Sequence, residues 1–312
     1  MPNNISDKTT IEVAGKKLKL ANLNKVFYPL TGFTKGQMLD YYIRIAPVLL
    51  PHLANRPLTF KRYPNGVTGK FFYQKDCPVH RPEWVKTIPV WSEGNRKYIN
   101  YCNAADLSTL IWAANLAVLE LHTSLSLAPE IASPSLLVFD LDPGPPATIV
   151  DCAQVALWLK EMLAKQDLKS FPKTSGAKGL QVYVPLNTPL SYDHTKSYAR
   201  LLANRLQEQY PQKVVANMKK KLRSGKVFID WSQNDEHKTT VCVYSLRAGE
   251  LATVSTPVTW EEVEAAWHEN NPNSLVFEAQ QVLDRVKSRG DLFGPLLGLK
   301  QNLPATNQLG KS

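Results

Sequence analysis

Two aspartates one residue apart end an apolar stretch of the sequence, and their spacing suits metal chemistry. Residues 135–142 (SLLVFDLD) are typical of a β-strand, which the turn PGPP (143–146) ends. Side chains alternate along a strand, so Asp140 and Asp142 share one face while Leu141 points into the core. Neighbouring carboxylates repel each other unless a cation lies between them, and oxygen ligands suit Mg²⁺ or Mn²⁺. The alternative is a pair of turn-forming aspartates before Pro-Gly, because the motif is short.

A third carboxylate, Asp230, lies inside the apolar strand-like stretch KVFIDW (226–231). A buried strand rarely carries an acid unless that acid is paired or binds a ligand. Alone it would be a hydrogen-bonded structural residue, but together with Asp140 and Asp142 it is a candidate third ligand. Two ions held in this way can activate an attacking hydroxyl and stabilise a leaving pyrophosphate.

Three further features could bind phosphate. Glycines in SGAKG (175–179) let backbone N–H groups approach an anion, with Ser175 and Lys178 beside them; the alternative is a glycine turn with a surface lysine. Arg247 follows an apolar stretch, where it could hold phosphate or pair with Glu250. A basic run just before Asp230 is expected to contact nucleic acid or triphosphate rather than only solvent: Lys219, Lys220, Lys221, Arg223 and Lys226.

The elements that must position these residues alternate along the chain, which predicts an α/β protein with mixed sheets. The capping-box pattern at Thr34–Gln37 predicts a helix to about residue 52, and Thr259 is a candidate N-cap for a helix over 259–267. Further helices are expected over about 105–119, 148–165 and 193–210. The expected strands are 58–63, 70–75, 84–91, 97–102, 135–142, 226–231 and 239–246, with a hairpin over 173–186.

The bulk properties restrict the class of protein. The 312 residues are 44% hydrophobic and 21% charged, which is ordinary for a globular protein, and no stretch approaches the roughly 18 apolar residues of a membrane span. The polar start carries no secretory signal, so we expect a cytoplasmic protein with its four scattered cysteines reduced. Cys77 and His80 have half the spacing of a zinc site, so a structural zinc is the alternative to packed thiols, although no second CxxC or HxxxH motif follows. The net charge of +10 favours a polyanionic partner such as nucleic acid.

The motifs occur together in a characteristic order. VFDLDPG (138–144), TSGAKGL (174–180), LRSGKVFIDWSQN (222–234) and YSLR (244–247) follow NLNKVFYPLTGFTKG (22–36), RPLTFKRYPNG (56–66), FFYQKD and LELH (119–122). With GDLFGPLL (290–297), they closely resemble the polymerase domain of bacterial ligase D. That domain belongs to the archaeo-eukaryotic primase superfamily and serves non-homologous end joining. The resemblance implies a primase-like catalytic core with largely antiparallel sheets flanked by helices.

The resemblance implies a role for each matching residue. Asp140, Asp142 and Asp230 match the family's metal-binding triad. The matches for the nucleotide site are Ser175, Lys178, Arg247 and His122, with Gln233 as a weaker match. The matches for DNA are Lys25 and Lys35 at the downstream 5′-phosphate, Phe71 and Phe72 at the template, and Arg62 and Arg223 near the DNA.

The implied activity is addition of a few nucleotides to 3′-OH ends at gaps and breaks. The resemblance implies a preference for ribonucleotides, Mn²⁺ or Mg²⁺ as a two-ion cofactor, and a Ku-type end-binding protein and a DNA ligase as partners. When bound to DNA, such an enzyme would be nucleoid-associated. No KxDG-type lysine motif is present in the chain, so we do not expect it to ligate DNA. It is either a stand-alone polymerase or one module of a longer fusion.

The organisation expected from the sequence is a flexible N-terminus (1–9), one primase-polymerase-like domain (10–298) and a C-terminal tail (299–312). One departure from the family concerns Gln181, which stands where many members have histidine and which cannot titrate. Two rival functions follow from the same residues. VFDLD also resembles the start of a haloacid-dehalogenase-type phosphatase, although Gly144 departs from that pattern, and a non-catalytic nucleic-acid-binding relative would carry the same basic run.

Overall fold

A computed structural model describes residues 8–128 and 130–304, which form two large, mainly antiparallel β-sheets with helices against their outer faces, and two two-stranded sheets. The helices of this part are α1 (Lys35–Leu53), α2 (Leu107–Asn115), α3 (Ile149–Ala164), α4 (Tyr192–Gln209), α5 (Trp260–His268) and α6 (Ala279–Arg289). Its strands are β1 (Lys8–Val13), β2 (Lys16–Ala21), β3 (Val26–Tyr28), β4 (Phe33–Thr34), β5 (Leu58–Arg62), β6 (Phe72–Gln74), β7 (Thr87–Ser92), β8 (Lys97–Cys102), β9 (Val118–Thr123), β10 (Leu136–Pro143), β11 (Phe171–Thr174), β12 (Leu180–Pro185), β13 (Val214–Val215), β14 (Val227–Asp230) and β15 (Thr240–Val241). The predicted α/β class with largely antiparallel sheets is confirmed.

The first sheet has the strand order β11-β12-β10-β14-β13, and only its β13–β14 pair is parallel. Alternation along its strands gives it two different faces. Leu141, Val182 and Ile229 are fully buried on the outer face, in a core that includes Leu159 of α3 and Leu202 of α4. The inner face carries the polar side chains of the same strands, so the helices leave those side chains free to face the second sheet.

The second sheet has the order β15-β9-β5-β8-β7, with β6 also paired to β5. Its apolar face packs on α1 and α2 through residues such as Phe60, Leu121 and Ile45, all of which are buried. The polar faces of the two sheets meet, since Tyr183 of β12 and Thr240 of β15 are hydrogen-bonded at 2.9 Å. Polar residues from distant parts of the chain therefore line one space between the sheets.

Local capping signals predicted two helix starts correctly. The Thr34 and Gln37 side chains form a reciprocal capping box at the start of α1, and Thr259 with Glu262 does the same for α5. Strand β8 coincides with the predicted 97–102. The hairpin predicted over 173–186 is formed by β11 and β12.

Other sequence-based boundaries were wrong. The helix expected over 105–119 ends at Asn115, because Ala117 has a positive φ of 64° and turns the chain into β9. The strand expected over 239–246 is limited to Thr240–Val241, since Tyr244 also has a positive φ, of 63°. The β1–β2 hairpin and α6 were not predicted.

Both ends of the described chain pack on the domain. Strand β1 starts at Lys8, within the expected flexible N-terminus, whose first seven residues lie outside the described residues. In the expected C-terminal tail, the Gln301 side chain donates to Pro185 O at 2.9 Å, and Leu303 is buried. Residues 305–312 of that tail lie outside the described part. Within this part, no helix is both long enough and apolar enough to span a membrane.

The expectation of four reduced cysteines was wrong for two of them. Cys77 and Cys102 form a disulfide, whereas Cys152 and Cys242 are free and buried. Folding brings the pair together because Cys77 N donates to Asn100 O at 2.7 Å, beside the end of β8. The bond also removes Cys77 as a thiolate ligand, which argues against the zinc alternative at Cys77–His80.

Candidate active site

A row of polar side chains crosses the inner face of the first sheet. In the strand registers, Asp140 lies directly opposite Asp230 on one side and Gln181 on the other, and Gln181 lies opposite Lys173. Asp142 is two residues farther along the same face of β10. The sheet therefore brings together all three carboxylates that the sequence selected, although Asp230 is 88 positions or more from the other two in the chain.

The carboxylates destabilise one another. Desolvation and the charge of Asp142 raise the pKa of Asp140. Gln181 Nε2 donates a 3.0 Å hydrogen bond to its carboxylate, which lowers the pKa but does not outweigh them. Desolvation and the charge of Asp230 raise the pKa of Asp142, while the charges of Arg223 and Arg247 lower it. A bound cation would relieve this repulsion.

Asp230 is engaged with the turn that follows it. Its carboxylate accepts hydrogen bonds from Ser232 N at 3.0 Å, Ser232 Oγ at 2.6 Å and Gln233 Nε2 at 3.1 Å. Gln233, predicted to contact nucleotide, thus contacts one of the three carboxylates. In residues 8–128 and 130–304, no three His, Cys, Asp or Glu side chains are already arranged to hold a metal ion.

The SGAKG loop joins β11 to β12 next to these carboxylates. Ser175 Oγ accepts hydrogen bonds from Ala177 N at 3.2 Å and Gly179 N at 3.1 Å, so it holds the loop closed. A Cβ on Gly179 would collide with the Leu141 carbonyl oxygen, which explains the glycine. Lys178 is exposed. The loop therefore presents an exposed ammonium group from a backbone fixed against the carboxylate strand.

The basic run is fixed against the same C-terminal end of β10, on the side of β14. Gly144 N donates to Lys226 O at 2.8 Å, and a Cβ on Gly144 would collide with the Arg223 carbonyl oxygen. The Arg223 guanidinium lies 3.6 Å from the centre of the Phe228 ring. Its Nε is buried and has no hydrogen-bond partner among the described residues. This packing holds a cation next to Asp142.

The second sheet contributes a buried charge cluster centred on Glu120, which was not predicted from the sequence. The Glu120 carboxylate contacts Lys61 Nζ at 3.1 Å, His122 Nε2 at 2.9 Å and an Arg247 guanidinium nitrogen at 3.7 Å. Burial works to raise its pKa, but the hydrogen bond from His122 and the nearby cations hold it at about 2. The signal was present, because Glu120 is an acid inside an apolar strand, the same pattern that selected Asp230.

Arg247 connects the two sheets. It pairs with Glu120 rather than with Glu250, and its charge lowers the pKa of Asp142. Its Nε is buried without a hydrogen-bond partner in the described part of the chain. His122 lies in the same cluster, where burial lowers its pKa. The structure thus places Arg247 close to Asp142, with His122 in the same cluster around Glu120.

The two phenylalanines expected at the template lie on opposite faces of the β5–β6 hairpin. Phe71 lies with Lys61 and Tyr73 on the side of the active site, and Lys61 Nζ is 4.5 Å from the centre of the Phe71 ring. Phe72 packs on Arg62 at 5.1 Å on the other side. Arg62 also donates to Leu116 O at 2.9 Å. Phe72 and Arg62 are therefore not brought to the carboxylate site.

Lys25 and Lys35 form a separate basic site. Lys25 Nζ donates to Pro64 O at 2.7 Å and to Asn65 Oδ1 at 2.8 Å. Lys35 is 5% exposed, and its Nζ donates to Ala21 O and to Asn115 Oδ1. Burial and the charge of Lys25 lower the pKa of Lys35 to about 8. The lysines repel each other across this site, so an anion there would be favoured.

The arrangement can be compared with known proteins. The family model "LigD, primase-polymerase domain" matches residues 34–293. The chain belongs to the LigD primase-polymerase domain family.

The relatives and a solved structure agree with this assignment. The chain is 38% identical over 283 residues to the multifunctional non-homologous end joining protein LigD of Mycolicibacterium smegmatis, covering 90% of the chain and 36% of that protein. It is 33% identical over 278 residues to the bifunctional non-homologous end joining protein LigD of Bacillus subtilis, covering 89% and 44%. The polymerase domain of Mycobacterium tuberculosis ligase D, solved in complex with DNA, superposes with a TM-score of 0.83 at 38% identity, covering 90% of this chain and 98% of that one.

These matches identify the domain as a nucleotidyltransferase of the polymerase type. The phosphatase alternative is therefore wrong. The chain spans less than half the length of these curated relatives. The matching part of the chain corresponds to the LigD primase-polymerase domain of those proteins.

Proposed function

We propose that this LigD primase-polymerase domain adds nucleotides to 3′-OH ends at gaps and broken ends of DNA during non-homologous end joining. The observation that carries the proposal is the convergence of Asp140, Asp142 and Asp230 on one face of two paired strands. Cations from both sheets surround them. This combination provides a site for metal-bound triphosphate beside a path for nucleic acid.

The carboxylates fit a pair of hard divalent cations. The donors are all oxygens, as Mg²⁺ and Mn²⁺ prefer, and their mutual repulsion favours cation binding. Asp140, Asp142 and Asp230 would hold the ions, which when bound activate the primer hydroxyl and neutralise charge on the triphosphate. Gln233 would position Asp230, and Gln181 would orient Asp140 through its hydrogen bond. Since Gln181 cannot titrate, it positions the nucleotide site without transferring a proton.

The triphosphate is assigned to the cationic groups with free donors. Arg247 and Arg223 each have a buried Nε without a hydrogen-bond partner among the described residues, and an anion would supply the acceptor. Lys178 would add charge from the rigid SGAKG loop that Ser175 closes. His122, hydrogen-bonded to Glu120, would face the nucleotide and the primer end. These groups would offset the charge that develops on the leaving pyrophosphate.

DNA is assigned to the remaining features. The solved relative is in complex with DNA. Lys25 and Lys35 would bind the 5′-phosphate of the downstream strand, and Phe71 would stack on the template. Arg62 and Phe72 would contact the duplex on the far side of the same hairpin. A Ku-type end-binding protein and a DNA ligase would complete the repair reaction, with ribonucleotides as the preferred substrates.

A primer-extension assay on gapped DNA tests the chemistry. Asp140→Asn should reduce extension at least about 100-fold with either Mg²⁺ or Mn²⁺, with the fold and DNA affinity retained. Asp40→Asn is the control, since Asp40 is an exposed carboxylate paired with Arg44 on α1. Running both ribo- and deoxynucleotides measures the sugar preference. Full activity of Asp140→Asn would contradict the role assigned to this carboxylate, whereas DNA binding without any extension by the unaltered protein would support the non-catalytic alternative.

The 5′-phosphate assignment has its own test. Lys25→Ala should remove the difference in affinity between gapped DNA with and without the downstream 5′-phosphate. Lys165→Ala, at an exposed position after α3, should preserve that difference. Equal affinity of the unaltered protein for both DNAs would rule out the assignment.

A further inference from the structure

An open groove of about 800 Å³ lies beside the aromatic face of the β5–β6 hairpin. The residues that matter for its chemistry are Leu30, Tyr63, Val67, Phe71, Gly249 and Glu250. Leu30 is 69% exposed and Phe71 is 50% exposed. Large apolar side chains grouped in this way mark a surface that binds a ligand or partner.

The walls of the groove are attached to two sites already described. One wall is the loop from Tyr63 to Val67, whose Pro64 and Asn65 accept hydrogen bonds from Lys25. The other wall starts at Ala248, directly after Arg247, and Ala248 N donates to Glu120 Oε1 at 3.1 Å. The groove therefore connects the proposed 5′-phosphate site with the proposed triphosphate site.

In gapped DNA, the unpaired template nucleotides are the part between the primer end and the downstream 5′-phosphate. A groove between the two matching protein sites therefore faces those nucleotides. Its apolar and aromatic lining suits the face of any base, because stacking on such side chains does not depend on sequence. Glu250 at its edge disfavours phosphate, so a base rather than the backbone would enter.

We propose that this groove binds the unpaired template base next to the templating base on the downstream side. The inference rests on the proposed function, since it needs DNA held at both flanking sites. A gap of one nucleotide contains no such base. Gaps of two or more nucleotides contain such a base. By binding it, the groove separates the templating base from the following one and keeps the register of copying.

The test combines one protein change with one DNA change. The DNA is a two-nucleotide gap with a 5′-phosphate, in which the second unpaired template position carries either a base or an abasic site. With the unaltered protein, the abasic site should weaken binding about tenfold, as expected for the loss of one stacked base. In Leu30→Ser, the same abasic site should weaken binding less than about threefold, because the two changes remove one shared contact.

The controls separate this inference from the proposed function. Val79→Ser alters another exposed apolar residue, 95% exposed and outside the groove, and should keep the tenfold effect. Leu30 is exposed, so its replacement should leave folding intact. An abasic effect of the same size in the unaltered protein and in Leu30→Ser, or no effect in either, would overturn the inference. Failure of the unaltered protein to extend any gapped DNA would instead overturn the proposed function.

Discussion

The buried Glu120 cluster allows a quantitative prediction. The Glu120 side chain is 1% exposed and contacts Lys61, His122 and Arg247, while Ala248 N donates to it. Replacement by Gln keeps the size of the side chain but removes its charge. The cations around it would then be buried without a counter-charge. We therefore predict that Glu120→Gln strongly lowers the free energy of unfolding.

The structure sets the size of the effect. Burial raises the pKa of Glu120, but the hydrogen bond from His122 and the charges of Arg247 and Lys61 outweigh burial and hold the pKa at about 2 instead of 4.5. That difference corresponds to about 3 kcal/mol. Removing one partner of a buried ion pair typically costs about 3–5 kcal/mol, which agrees. The predicted loss at pH 7 is therefore about 3 kcal/mol.

Urea unfolding of the two proteins across pH is the assay. Because the pKa of Glu120 is lowered on folding, its stabilisation is complete above about pH 4.5 and is lost as the pH falls towards about 2. The difference between the proteins should be constant near neutral pH and narrow below about pH 4.5. Glu264→Gln, at a position where the side chain is 56% exposed, should change stability by less than about 0.5 kcal/mol. A loss below about 1 kcal/mol at pH 7, or a difference that widens in acid, would refute the reasoning.

Three further predictions concern packing, the disulfide and DNA. Gly179→Ala should lower the free energy of unfolding by at least about 2 kcal/mol, because its Cβ would collide with the Leu141 carbonyl, whereas Gly94→Ala, with open space around it, should be neutral in the same urea titration. Replacing both Cys77 and Cys102 by serine should lower the free energy of unfolding by about 3 kcal/mol, because the disulfide closes a loop with a sequence separation of 25. Equal stability of the native protein with and without dithiothreitol would contradict this prediction. Alanine at all of 219–221 should reduce the slope of log affinity for duplex DNA against log salt by about two to three, and an unchanged slope would exclude phosphate contacts there.

Local rules of the sequence determined part of the site. Alternation along FDLD placed Asp140 and Asp142 on one face whatever the rest of the fold, because successive strand side chains point to opposite sides. The capping box at Thr34 fixed the start of α1 for a similar reason, since its hydrogen bonds join residues three positions apart. Motif order carried the family assignment, and the match over residues 34–293 confirmed it.

Only the tertiary structure decided which distant residues meet. Strand registers set Asp230 opposite Asp140, and the meeting of two sheets joined Arg247 to Glu120. The same long-range pairing brought Cys77 to Cys102, against the expectation of reduced thiols. The end of α2 was also misjudged, because the residues after it join β9 through hydrogen bonds to β5 that no local pattern contains. Periodicity and caps act over a few residues and can be read along the chain, whereas register and sheet packing depend on partners that the chain supplies from far away.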